Sequence, residues 1–181
     1  MIDIHPFNIP LHDSPLLKDL DEQELRTMFE HMEHLCYKSE SMIIEQGTES
    51  KGLWLLSEGC CEVIRTNLDG TKSQVLAMLG PGTVFGEMSF FQQTDHSASI
   101  KAVTQTTVHK LSQKAFDDLG NNKCNTATKL LKNLVRVMAD RMQLMDKWVC
   151  ELMGENTEDP VIKQDEWHEF RTKLYSEWDF S

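Results

Sequence analysis

Residues Gly86 to Lys101 read GEMSFFQQTDHSASIK, and this stretch decides the fold. A glycine is followed at once by an acid, a short apolar run, a polar loop and a small-residue strand start. That order predicts a strand that ends, turns into one helical turn and loops back. The first N–H groups of such a turn have no intrahelical partner and suit an anion. Glu87 places a carboxylate beside them.

Upstream, short β-rich runs recur at Met42–Ile44, Leu53–Leu56, Cys61–Thr66 and Gln74–Leu79. Downstream, two more follow at Ser99–Val103 and Thr107–Leu111. Glycines at 47, 52, 59, 70, 80, 82 and 86 punctuate them. Asn67-Leu68-Asp69-Gly70 is a hairpin signal, because glycine tolerates positive φ. Many short strands with regular turns predict a barrel or roll.

Helices flank this region. Ser14-Pro15 is a helix start, with serine at the cap and proline in the first turn. Leu16, Leu17, Leu20, Leu25, Met28, Phe29 and Met32 then recur at helical spacings, in two short helices broken near Asp21. After Leu111, a short helix over Lys114–Leu119 is expected to end at Gly120. A longer one is expected from about Asn125 to Met153, with Gly154 as its stop. Leu130, Leu134, Met138, Arg141, Met145, Val149 and Leu152 mark one face of it. Leu131, Val135, Met142 and Cys150 widen that stripe, so the helix has apolar surface for its own domain and for a second copy.

The stretch from Gly86 resembles the phosphate-binding cassette of the cyclic nucleotide-binding domain family, with no insertion or deletion. Ile43–Gly59 resembles the family's first signature, with Gly47 and Gly59 at matching separations and Ser50 and Trp54 as departures. The resemblance covers about residues 14–150. It implies a mainly β fold: a jelly-roll-like β-roll (a double-stranded β-helix) flanked by N-terminal helices and a long C-terminal helix. It divides the chain into an arm at 1–13, the domain at 14–153, and a linker with an acidic amphipathic tail at 154–181.

By the same resemblance, Gly86 and Glu87 hold a ribose 2′-hydroxyl, with Met88 beside them. Ser97 and Ala98 offer donors to a cyclic phosphate. The family's phosphate-binding arginine is His96 here. A neutral imidazole offers one donor where guanidinium offers a fixed fork and a permanent charge. Arg141 either orients Glu87 or snorkels at the stripe edge. Met145 and Asp146 lie where family members approach the purine; Met145 also reads as core or dimer interface. Each cassette residue has a plainer reading: Gly86 a turn, Glu87 a helix-start carboxylate, His96 an exposed loop residue, Ser97 a strand-end cap.

Other chemistry is sparse. His5, His12, His31, His34, His96, His109 and His168 form no H-x-H pair, and no matching acid cluster suggests a metal enzyme. No nucleophile elbow or phosphate loop is present. Cys60-Cys61 reads as one outward and one buried thiol. The chain is expected not to be an enzyme and to need no cofactor; its ligand is cAMP or cGMP. The alternative is a nucleotide-blind interaction module of the same fold.

The 181 residues carry a net charge of −11, which argues against nucleic acid and acidic membrane surfaces as partners. About thirty residues follow the long helix; they are acidic overall, and no basic helix-turn-helix fits them. Five cysteines without a paired framework point to a reducing, cytoplasmic setting. No apolar segment reaches bilayer length. Trp167, Phe170, Leu174 and Trp178 predict an amphipathic helix over roughly 162–178, a place for a protein partner or for docking on the domain.

Overall fold

The computed structural model describes residues 13–155 apart from 50, 68, 93 and 123. The tail helix expected over 162–178 and residues 1–12 of the arm lie outside the described residues. The chain divides into two compact units, with the boundary between Val137 and Met138.

The first unit opens with a 3-10 turn at Pro15–Leu17 and helix α1 at Glu22–Glu30. The break near Asp21 is a reciprocal cap. Glu24 N–H donates to Asp21 Oδ1 at 2.8 Å, and Asp21 N–H donates to Glu24 Oε2 at 2.9 Å. Strands follow at β1 Glu33–Tyr37, β2 Met42–Ile44, β3 Gly52–Glu58, β4 Cys61–Thr66, β5 Ser73–Leu79 and β6 Val84–Phe85. Helix α2, Glu87–Gln92, interrupts them before β7 Ser99–Ala102 and β8 Thr106–Ser112. Helix α3 spans Gln113–Asn122 and helix α4 Cys124–Glu155.

The strands form two antiparallel four-stranded sheets, ordered β1-β8-β3-β6 and β2-β7-β4-β5. This is the expected β-roll with flanking helices. Side-chain alternation along β3 builds two cores at once. Leu53 and Leu55 join Leu16, Met28, Val84, Phe90, Leu111, Leu130 and Leu134 in a core between sheet and helices. Trp54 and Leu56 point the other way, into a second core with Ile44, Cys61, Phe85, Ile100 and Val108. β3 is therefore buried on both faces, while the edge strand β5 leaves Val75, Leu76 and Met78 exposed.

A polar seam fastens the start of α4 to the N-terminal helices. Glu24 is buried and accepts from Asn125 Nδ2 at 2.7 Å and Lys129 Nζ at 2.6 Å. Asn133 Nδ2 donates to the carbonyls of Leu16 and Lys18. A buried carboxylate is stable only with partners of this kind.

Two expected stops are corrected. α3 runs through Gly120 to Asn122, and α4 includes Gly154. Nothing lies within 4 Å of a Cβ built on Gly120. A glycine costs a helix only about 1 kcal/mol, which neighbouring turns absorb. Two strands escaped the sequence reading: β6 is two residues long, and β1 begins on the polar pair Glu33-His34.

In the second unit, Arg141 and Met145 are exposed on α4 and Asp146 is half-buried. Among the described residues, no helix is long and apolar enough to cross a membrane.

Candidate functional site: the cassette at residues 86–98

The site begins where β6 ends. Gly86 adopts φ +81°, a conformation open to glycine and strained for other residues. A Cβ there would lie 2.4 Å from Trp54 Cε3 and 2.9 Å from the Gly52 carbonyl oxygen. Gly86 is thus required twice, for its backbone and for the indole against it. The chain then enters α2 directly. The Phe90 N–H bonds to the Gly86 carbonyl at 3.1 Å, closing its first turn.

Glu87 is the first residue of α2 and is buried, so its carboxylate lies at the helix start as expected. Met88 is exposed, and Ser89 is buried.

The return loop is tied down at His96. Its N–H donates to the Thr48 carbonyl at 3.1 Å, and its carbonyl accepts from the Gly47 N–H at 2.9 Å. Gly47, at φ +78°, turns the facing loop. Gln46 extends this brace: its N–H donates to Ser99 Oγ, and its side chain exchanges two hydrogen bonds with the Thr66 backbone. The bend at Ser97 and Ala98 leaves Ser97 exposed and Ala98 half-buried.

His96 is not an exposed loop residue. It is buried, with Nδ1 at 2.9 Å from Ser89 Oγ. Ser89 Oγ also lies 3.2 Å from the Gly86 carbonyl. If the hydroxyl donates there, it accepts from the imidazole N–H. The ring meets Trp54 edge-on, with centroids 5.7 Å apart. Trp54 in turn stacks on Phe85 at 5.9 Å and lies beneath Lys110 Nζ at 5.5 Å.

Gly86, Glu87, Met88, His96, Ser97 and Ala98 therefore occupy one continuous cassette. Arg141, Met145 and Asp146 belong to the other compact unit. Ser89 and Trp54 are the two participants that sequence reasoning missed. Ser89 carried a weak signal, three residues past Gly86 on a short helix. Trp54 stood out only as a departure from the family's first signature, since its role depends on a contact across thirty-two residues of chain.

Elsewhere, chemistry-bearing groups serve packing. Cys61 is enclosed in the roll and its thiol is pushed up to about 11, first by burial, which disfavours a thiolate. Among the described residues, no three His, Cys, Asp or Glu side chains are grouped to hold a metal.

A β-roll that presents a glycine, an acid and a helix start between β6 and β7 is the architecture of a ligand-binding regulatory domain. Residues 34–123 match the family model of the cyclic nucleotide-binding domain, and the chain carries a domain of that family. It is 33% identical over 103 residues to the cyclic AMP receptor protein of Thermus thermophilus, covering 57% of this chain and 47% of that one. It is 29% identical over 126 residues to human cGMP-dependent protein kinase 2, covering 70% of this chain and 16% of the kinase. The crystal structure of Thermus thermophilus catabolite activator protein superposes with a TM-score of 0.69 at 29% identity, over 77% of this chain and 63% of that one. The chain spans less than half of the two curated relatives named.

Proposed function

We propose that the chain is a non-enzymatic cyclic-nucleotide sensor, taking cAMP or cGMP, whose ligand binding moves the long helix α4. The observation that carries this reading is the cassette itself. Gly86 is held at positive φ, Glu87 stands at the start of α2, and His96, which by family resemblance takes the arginine's position, is enclosed. Glu87 takes the ribose 2′-hydroxyl, Met88 flanks it, and Ser97 and Ala98 serve the phosphate. His96 supplies a single donor there. The sensor works as a homodimer through α4, for which exposed Leu131 and Val135 speak. The net charge of −11 supports a protein partner, for which the acidic tail offers a place, rather than nucleic acid or an anionic membrane.

Titration of purified, ligand-stripped protein with cAMP and with cGMP, by calorimetry at about pH 8 and about pH 6, tests it. An anionic phosphate favours a protonated imidazole, so affinity improves at the lower pH. His96→Arg tightens binding and flattens that dependence. Absence of binding by both the native protein and His96→Arg sinks the sensor reading.

A second reading keeps the fold without the nucleotide: an interaction module that binds a protein. The engagement of His96 by Ser89 and Trp54 favours it, since a ring so packed already has a structural role. The same titration separates the two readings.

A further inference from the structure

Helix α4 carries two apolar stripes with different fates. Ala127, Leu130, Leu134 and Val137 are buried in the core between sheet and helices. Leu131, Val135, Met142 and Met145 are exposed, at 43%, 59%, 50% and 59%. In the sequence this second row runs Leu131, Val135, Met138, Met142, Met145, Val149, Leu152, in alternating steps of four and three. A helix packed only on its own domain needs one stripe. An unbroken four–three alternation over three heptads is the seam of a coiled coil.

The residue types on that seam choose its form. Positions 135, 142 and 149 take the place called a in the heptad, and 131, 138, 145 and 152 the place called d. β-branched residues at a with leucine at d favour two strands; Val135 and Val149 with Leu131 and Leu152 follow that preference. In this register Arg141 falls at g and Asp146 at e. In a parallel, in-register pair, each g residue faces the partner's e residue five positions on. Arg141 then faces Asp146 of the partner subunit, and the two-fold axis repeats the contact. Leu134 and Ala139, the preceding g and e residues, carry no charge.

On the reading that the chain dimerises through α4, we propose that Arg141 and the partner subunit's Asp146 form the ion pair that fixes a parallel, in-register orientation. This moves both residues from the nucleotide, where family resemblance puts them, to the subunit contact. An antiparallel pair would set g against g and lose this match.

The test is charge exchange in the full chain, read by analytical ultracentrifugation. The native protein is dimeric at micromolar concentration; a native monomer overturns the dimer reading and the pair with it. Arg141→Asp alone, or Asp146→Arg alone, weakens self-association about tenfold, because like charges meet at both symmetric contacts. Mixing the two variants restores native association through a heterodimer, and high salt erases the differences. A native dimer with no rescue on mixing overturns the ion pair and leaves the dimer standing. Recovery in the double variant without recovery in the mixture also overturns it, by placing the pair within one chain. Arg141→Gln mixed with Asp146→Asn serves as the half-strength control: its heterodimer keeps one Arg141–Asp146 contact where each homodimer has none, so association recovers in part, and no recovery here also overturns the pair.

Discussion

His96 and His109 are equally enclosed, each 6% exposed, yet their surroundings have little in common. His109 sits mid-strand in β8, between His34 of β1 and Leu55 of β3. Its ring meets Phe29 of α1 at 5.0 Å and His34 at 5.2 Å, both edge-on. Burial, and then the neighbouring His34, push its imidazole down to about 4. His96 sits in a loop, roped by its backbone to Gly47 and Thr48, and its ring leans on Ser89 and Trp54. The pair shows that burial alone does not mark a site. What differs is the backbone around each ring: His109 is surrounded by strand, His96 by a positive-φ glycine and a helix start.

The largest expected effect is at the wall His96 leans on. Trp54→Ala removes a fully buried indole and costs about 3–5 kcal/mol in thermal or urea unfolding. Gly86→Ala costs about 1–3 kcal/mol from the strained φ alone, and the clash with Trp54 adds to it. In a double-mutant cycle, Trp54→Leu recovers part of the Gly86→Ala cost, while the Gly52 carbonyl still crowds the new Cβ. Strict additivity would mean that the indole and the glycine are independent, and that the cassette wall is misassigned.

The next effect belongs to His109. Its folded imidazole titrates near 4, below the ordinary 6.5, so the unfolded chain takes up the proton first as pH falls. The stability is present in full above about 6.5 and is lost as pH falls towards about 4. The loss amounts to about 3 kcal/mol at most. Urea unfolding of the native protein against His109→Phe between these pH values checks it. A profile as steep in the variant as in the native protein would assign the acid sensitivity to other groups.

The smallest effect separates the two histidines most sharply. Ser89→Ala removes the hydroxyl from His96 Nδ1 and costs about 1 kcal/mol of stability. On the sensor reading it also shifts cyclic-nucleotide affinity several-fold, through the orientation of the ring. A stability change with unaltered affinity would make His96 a packing residue like His109.

Six of the eight described strands and the cassette's backbone were legible because they rest on local rules: period-two runs, turn glycines, and an acid at a helix start. The break near Asp21 was legible for the same reason. What escaped the sequence depended on distant partners. Trp54 read only as a departure from a family pattern, although it fills the space that Gly86 leaves open. His96 was open to an exposed reading because nothing nearby in sequence announces Ser89 as its partner. Along the first unit's part of α4 the apolar residues fall in two rows, Leu130 and Leu134 buried and Leu131 and Val135 exposed, a division that periodicity alone does not make.

Strand β3 has a mechanical consequence. It is a partition between two rooms, with Trp54 and Leu56 furnishing one and Leu53 and Leu55 the other. Close-packed interiors have little slack to absorb a shift. A push on the indole from the cassette side must therefore displace the same backbone that holds the floor beneath Leu16, Leu130 and Leu134. The roll and its helical cover cannot relax separately; whatever disturbs one is felt through one residue's thickness of chain by the other.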